Sequence, residues 1–299
     1  MIIKKIIVSA LSVTVVAASS ILGFTGILKQ NYKGNEYAKW MANLDDNASL
    51  RAVNMPGSHD TMALYSIGDL AGQCQSLSLI DQLNLGVRFL DIRLKQEGNN
   101  LKAVHGFIDQ RATFDDVNNV VSDFLTTNPS EFIIMSIKEE ADPSKPIGSF
   151  EDCLKAKLNG KYLLNTTLPT KVQYARGKVI LLSRYSNSTI GIPAYNGWSD
   201  STSFTLPNDI YVQDEYKITS KEQKIEAITK CFNESGHALK INFLSAYRTN
   251  YIPPSYAPSA ALDVNPWINN NISNFIDRGI VLYDFVNETN MKAFFKEAL

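Results

Sequence analysis

The chain has 299 residues, of which 44% are hydrophobic and 20% charged, a globular composition that excludes a disordered or collagen-like polymer. Lys and Arg number 29 against 30 Asp and Glu, so a net charge of −1 provides no bulk field for nucleic acid, and no nucleic-acid partner is expected. Histidine is scarce, at three residues.

The chain opens with Lys4 and Lys5 ahead of an uncharged apolar run from Ile6 to Ile27. Residues 1–27 read as a secretion signal or an N-terminal anchor, and either one places the remainder outside the cytoplasmic membrane, secreted or on its extracellular face. Beyond residue 40 there is no repeat, low-complexity tract or linker, so the rest reads as one domain. Apolar runs of strand length recur at 51–56, 87–94, 132–138, 178–185, 209–216, 239–246 and 279–286. Their Val, Ile, Phe and Tyr content suits strands covered on both faces. Helix starts lie between them. Thr113 with Asp116 precedes an apolar helical stripe, Ser149 with Asp152 opens a helix predicted to end at Gly160, and Ser220 with Gln223 opens a third. Strands alternating with amphipathic helices point to a parallel α/β barrel, with an open doubly wound sheet as the alternative. No GxGxxG or GxxxxGK follows a strand, which weighs against dinucleotide or P-loop chemistry.

Only eleven residues separate Arg93 from His105, too few for a parallel crossover. The segment is predicted as a hairpin centred on Asn99, which would set Arg93 opposite His105. Cys74, Cys153 and Cys231 cannot all pair, and buried free thiols are expected.

Barrel sites form at the carboxyl ends of strands. The runs end in MPGSHD with His59 and Asp60, FLDIR with Asp91 and Arg93, and IIMSIKEE with Lys138. They continue with ILLSRY and Arg184, YVQDEY with Asp214 and Tyr216, and IVLYDF with Asp284. One charged strand end is ordinary rim; charges of both signs on six strands mark a site. His237, at a helix end, reads as structural. His59 and His105 flanking Arg93 suit metal-free phosphoryl transfer: one histidine takes a proton, one gives it, and the guanidinium neutralises phosphate oxygens. In a closed barrel the last strand pairs with the first and brings Asp284 to His59, where it would fix the ring tautomer. A divalent ion on His59, Asp60, Asp91 and His105 is the competing reading, and Arg93 would repel it.

Taken together, MPGSHD, FLDIR, AVHG, IIMSIKEE, ARGKVILLSRY, VQDEY and the final YDF resemble, in order and spacing, the bacterial phosphatidylinositol-specific phospholipases C, over residues 38–299. The resemblance implies an irregular TIM-type barrel as a single catalytic domain. It also implies attack of the inositol 2-hydroxyl on phosphorus, releasing diacylglycerol and a 1,2-cyclic inositol phosphate. On the matching positions it implies His59 as general base oriented by Asp284, His105 as general acid backed by Asp60, and Arg93 on the phosphate with Asp91 nearby. Lys138, Arg184 and Asp214 match inositol-hydroxyl contacts, and Tyr216 the ring face. Arg93 groups the chain with the metal-independent members, so no metal or other cofactor is expected. The implied partners are membranes containing phosphatidylinositol, with glycosylphosphatidylinositol anchors as a second substrate form, and a monomer is expected.

Departures fall at the lipid-facing rim. SIGDLAGQ has Leu70 and Ala71 but no aromatic, whereas AYRTNYIPPSYAP keeps Tyr247, Tyr251, Ile252 and Tyr256 as membrane contacts or as a loop packed on its own domain. The alternatives in function are a metal-dependent glycerophosphodiester or sphingomyelinase D-like phosphodiesterase, and a catalytically silent barrel that binds lipid or glycan.

Overall fold

The computed structural model describes residues 37–66, 72–249 and 257–296. The N-terminal apolar run, Leu70, Ala71, Tyr251, Ile252 and Tyr256 lie outside the described residues. In chain order the strands are β1 (Met55–Ser58), β2 (Phe89–Glu97), β3 (Asn100–His105), β4 (Ile108–Thr113), β5 (Ile133–Glu139), β6 (Tyr162–Leu163) and β7 (Val179–Arg184). They continue with β8 (Ile192–Pro193), β9 (Ser203–Thr205), β10 (Ile210–Gln213), β11 (Lys217–Ile218), β12 (Leu239–Phe243), β13 (Tyr247–Arg248) and β14 (Ile280–Tyr283). The helices are α1 (Leu79–Asn84), α2 (Phe114–Thr127), α3 (Phe150–Lys155), α4 (Lys221–Asn233), α5 (Ala257–Asn271) and α6 (Glu288–Phe295).

Each apolar run overlaps a strand of one curved sheet, ordered β7-β5-β2-β1-β14-β12-β10 with every neighbour parallel. Both faces of these strands are buried, the condition under which continuous Val, Ile and Leu runs are stable. The fold is therefore an irregular TIM-type α/β barrel. Its predicted closure holds where β1 meets β14, and fails elsewhere. Among the described residues no ladder joins β7 or β8 to β10, because β9 pairs antiparallel with β10 and occupies the edge a closing parallel strand would need. Side chains cross that seam instead, as where Asn208 Nδ2 donates to the Pro193 carbonyl at 2.9 Å.

Thr113 and Ser149 form reciprocal capping boxes with Asp116 and Asp152, which satisfy the first amides of α2 and α3. Ser220 caps α4, while Gln223 accepts from the Thr219 amide and hydroxyl. Helix α3 stops at Lys155, short of the predicted Gly160.

The hairpin exists with a register tighter by one residue. Leu94 faces Ala103 and Glu97 faces Asn100 around a Gly98–Asn99 turn in which Gly98 has φ 63°. A two-residue hairpin turn needs this left-handed conformation, so Arg93 is not the cross-strand partner of His105. The chain then reverses again into β4, which the sequence did not announce because Ile108 is its one large apolar residue and Gln110 takes the next inward position. Cys74, Cys153 and Cys231 are buried free thiols, as expected. No helix among the described residues is long and apolar enough to cross a membrane.

Candidate active site

Ser58 on β1 lies opposite Tyr283 on β14, so the residues that follow, His59 and Asp284, meet at the barrel mouth. His59 Nδ1 donates to Asp284 Oδ1 at 2.7 Å, and its Nε2 accepts from Arg93 Nη2 at 2.8 Å. This network assigns a neutral ring with its proton on Nδ1 and its lone pair on Nε2. Buried Gln75 donates to the carbonyls of both His59 and Tyr283 at 2.8 Å, which ties the two strand ends together. Asp60 and Phe285 turn the chain away from the mouth with φ of 38° and 51°, a left-handed conformation that stores strain beside the site. Burial draws the His59 pKa down, but the charge and hydrogen bond of Asp284, with the charge of Asp91, outweigh burial and Arg93, so the net direction is up.

Asp91 and Arg93 share one face of β2. Asp91 is fully buried; its Oδ2 accepts from Arg93 Nη2 at 2.9 Å, Arg93 Nε at 3.2 Å and the Asp60 amide at 3.1 Å, and its Oδ1 accepts from Arg184 Nη1 at 3.2 Å. Burial pushes its pKa up, yet the two guanidiniums hold the carboxyl far below the usual range. Burial likewise opposes the charge on Arg93, and Asp91, Asp60 and Glu140 more than restore it. Asp91 thus remains ionised and aims a permanent cation.

His105, less buried than His59, donates from Nδ1 to the Gly72 carbonyl at 2.8 Å. Gly72 has φ 92°, and a Cβ there would fall 2.3 Å from Ile108 Cδ1, so glycine alone brings that carbonyl to the ring. The expected support from Asp60 is present as charge but not as a bond, because its Oδ2 stands 3.8 Å from His105 Nδ1. That oxygen is buried without a hydrogen-bond partner, and burial raises the Asp60 pKa against Arg93 and His105.

These groups open into a cavity of about 850 Å³ that Lys138, Arg184, Asp214 and Tyr216 also line. All ten residues expected in the catalytic and inositol contacts therefore come together at one mouth. Lys138 Nζ pairs with Glu140 Oε2 at 2.6 Å, and Tyr216 donates its hydroxyl to Asp200. Tyr247 packs 5.8 Å from the Tyr216 ring and faces the same cavity. Three further participants escaped the sequence reading. Glu140 ion-pairs with Arg93 at 3.6 Å, and its position in IKEE beside Lys138 was an available signal. Trp198 lies 3.5 Å from the Arg184 guanidinium and donates Nε1–H to Asp214 Oδ2 at 3.0 Å. Gln75 carried no local signal at all.

Ligand atoms of His59, Cys74 and Asp284, and of Asp60, Cys74 and His105, lie within 4.8 Å of one another. Neither set is free to act as a metal cage. His59 Nδ1 is committed to Asp284, and the Arg93 guanidinium lies 2.8 Å from His59, 2.9 Å from Asp91 and 3.6 Å from Asp60, where a divalent ion would meet a fixed positive charge. His237 lies elsewhere, paired with Asp209 at 3.0 Å and stacked on Tyr211.

Comparison with known proteins identifies the family and the fold. Residues 53–185 match the family model for the phosphatidylinositol-specific phospholipase C X domain. A 1-phosphatidylinositol phosphodiesterase of Listeria monocytogenes is 30% identical over 276 residues, covering 86% of this chain and 84% of that protein. One of Staphylococcus aureus strain Newman is 28% identical over 237 residues, covering 69% and 74%. The solved Listeria phosphatidylinositol-specific phospholipase C superposes with a TM-score of 0.71 at 25% identity, over 87% of this chain and 98% of that one. A Staphylococcus aureus enzyme structure gives 0.76 at 22% identity, over 85% and 96%, a likeness of fold.

Proposed function

The chain belongs to the phosphatidylinositol-specific phospholipase C family, and on that premise we propose that it cleaves phosphatidylinositol by internal attack, with two histidines, one arginine and no metal ion. The observation that carries this reading is the chain of contacts Asp284–His59–Arg93, with His105 on the other side of the guanidinium's carboxylates. Phosphate entry offers Arg93 Nη2 an anionic acceptor in place of His59 Nε2, which frees that lone pair. His59 then takes the proton of the inositol 2-hydroxyl as its oxygen bonds to phosphorus, and Asp284 stabilises the resulting imidazolium. The bond from phosphorus to the glycerol oxygen breaks, and protonated His105 gives that oxygen its proton. The products are diacylglycerol and inositol 1,2-cyclic phosphate. Arg93 neutralises the non-bridging oxygens, a donor placement typically worth about 10²–10³ in rate.

Lys138, Arg184 and Asp214 supply one acceptor and two cationic donors to the ring hydroxyls, and Tyr216 gives the ring an apolar face. Trp198 fixes Arg184 and Asp214 in one arrangement, which supports recognition of a polyol. A glycosylated inositol lipid presents the same phosphodiester and is a second candidate substrate. The Lys4–Lys5 pair and the apolar run behind it support export, with the barrel, residues 38–299, acting as a monomer on membranes outside the cell. The test is incubation with phosphatidylinositol vesicles in excess EDTA, followed by phosphorus NMR. A cyclic phosphodiester resonance is expected; phosphatidic acid, or activity that EDTA abolishes, overturns the assignment.

A further inference from the structure

His59 follows β1 and His105 closes β3, with β2 between them in the sheet. One short segment outside the sheet, residues 72–75, reaches both. At one end the Gly72 carbonyl accepts from His105 Nδ1 at 2.8 Å. At the other, fully buried Gln75 commits its whole carboxamide to the base side: Nε2 donates to the carbonyls of His59 and Tyr283 at 2.8 Å each, and Oε1 accepts from the Val286 amide at 3.1 Å. Between them the Cys74 carbonyl accepts from the Phe285 amide at 2.7 Å, and its Sγ stands 3.9 Å from His105 Nδ1 and within 4.8 Å of a His59 ring nitrogen and an Asp284 carboxylate oxygen. The amides of Cys74 and Gln75 donate to the Ala63 carbonyl at 2.9 and 3.0 Å, which holds the segment itself. Phe285 has φ 51°, a conformation that persists only where its surroundings over-determine it. The bonds to the Phe285 and Val286 amides come from this segment.

We propose that Gln75, seated on the segment that also holds His105, is a positioning residue that fixes the general base against its carboxylate and relative to the general acid. This rests on the function proposed above, which makes His59 the base and His105 the acid. Gln75 is not among the residues that line the cavity, so it acts through the backbone of His59 and of the strand end that carries Asp284. Without its carboxamide two carbonyls and one amide lose their partners in the interior. The ends of β1 and β14 are then free to part, which lengthens the 2.7 Å bond between His59 and Asp284. Proton transfer tolerates little displacement, and a misplacement of about 1 Å costs about 10²-fold in rate. Lys138, Arg184 and Asp214 make no bond to this segment, so substrate affinity is untouched.

The test joins turnover of phosphatidylinositol to NMR titration of the imidazole rings, which three histidines make resolvable one by one. Burial lowers the His59 pKa and Asp284 is the largest cause that raises it; Arg93, Asp91, Asp60 and Cys74 are the other groups that face the ring. Gln75→Leu is expected to move the His59 midpoint down, toward its value in Asp284→Asn, and to leave His237 in place. Its kcat should fall about 10- to 100-fold with KM within about twofold of wild type, the pattern of an interaction realised only in the transition state. Gln75→Asn keeps the amide on a shorter stem; it should give intermediate shifts, and it decides the matter if Gln75→Leu does not fold. The control is Gln96→Leu, since Gln96 is equally buried and donates to the carbonyls of Gly98, Ile147 and Gly148, outside the cavity; its loss should leave the His59 midpoint unmoved. An unmoved His59 midpoint in the Gln75 variants, an equal shift in Gln96→Leu, or a shift with undiminished kcat overturns the positioning role. A wild type that cleaves no inositol lipid, while Gln75→Leu still moves His59, overturns the functional reading and leaves the hold of Gln75 on the His59–Asp284 pair standing.

Discussion

Two arginines, Arg88 just before β2 and Arg93 in its middle, differ in their surroundings in a way that separates holding a fold from the substrate contact proposed above. Arg88, at the floor of the barrel, is fully buried and spends all its N–H groups. It donates to Glu131 through Nε and Nη2, to the carbonyls of Leu83 and Val87 through Nη1, and to the carbonyl of Ala38 through Nη2. Glu131 is completed by Ser130 and by the Met41 amide. Burial lowers the Arg88 pKa to about 10, which still leaves it charged at neutral pH. Arg93, at the mouth, is surrounded by more carboxylates and is satisfied less. Its Nη1 has only an ion pair at 3.6 Å, and Asp60 Oδ2 and Asp284 Oδ2 are buried near it without hydrogen-bond partners. Native proteins rarely leave such atoms unpaired. The polar groups at the floor are matched to one another, and those at the mouth are matched only in part.

The largest effects should come from removing the proton carriers at the mouth. His59→Ala and His105→Ala are each expected to lower turnover by about 10²–10⁴ while keeping a cooperative urea transition; near-wild-type turnover in either would break the assignment. Next comes the same substitution made at both arginines. Arg93→Lys keeps the charge and loses the planar fork, so turnover should fall at least about tenfold, with stability within about 1 kcal/mol of wild type. Arg88→Lys strands carbonyls and part of Glu131 in the interior and should lower stability by about 3 kcal/mol, with turnover per folded molecule unchanged. Paired denaturation and activity measurements check both, and equal stability losses would erase the distinction between floor and mouth.

What the sequence reveals follows the same divide between local and distant causes. Chemistry at strand ends is legible because a charged residue closing an apolar run is a local signal, as with Asp91, Lys138 and Asp284. The pairing of His59 with Asp284 was legible through topology, since first and last strands of a barrel adjoin. The one-residue error at Arg93 and His105 arose because register depends on turn type, and Gly98–Asn99 closes the hairpin one position earlier than a turn centred on Asn99. The partner of His105 was hidden because it is the Gly72 backbone carbonyl, which no side-chain pattern announces. Trp198 and the open seam share one cause: the chain between β8 and β10 forms neither the helix nor the parallel strand that a regular barrel unit supplies.

A pH profile sharpens the role of Asp284. The folded His59 pKa lies above its ordinary 6.5 despite burial, with Asp284 the largest cause that raises it. As the base, His59 must be neutral, so the acid limb of kcat/KM should fall above pH 6.5. Asp284→Asn should move that limb to lower pH as well as reduce the plateau, and an unmoved limb would remove Asp284 from the pair. The stability effect has a definite sign. A histidine whose pKa is raised on folding stabilises fully below 6.5 and loses that contribution as pH rises through the folded value. The stability difference between wild type and Asp284→Asn should therefore be larger at pH 5 than at pH 9.

The smallest expected effect on folding is the most discriminating for the comparison. Asp60 is buried, has one oxygen without a hydrogen-bond partner, sits at φ 38° and has a pKa raised by burial, so burial works against its ionised form. Asn tolerates the left-handed backbone better than most residues and removes the buried charge. Asp60→Asn should leave stability at pH 7 within about 1 kcal/mol of wild type, or above it. It should still lower turnover about tenfold, because it removes the carboxylate that stands 3.8 Å from His105, the proposed acid. A urea titration beside a turnover assay decides the matter. If Asp60→Asn loses more than about 2 kcal/mol, Asp60 behaves like Glu131, and its unpartnered oxygen supports the fold rather than the reaction.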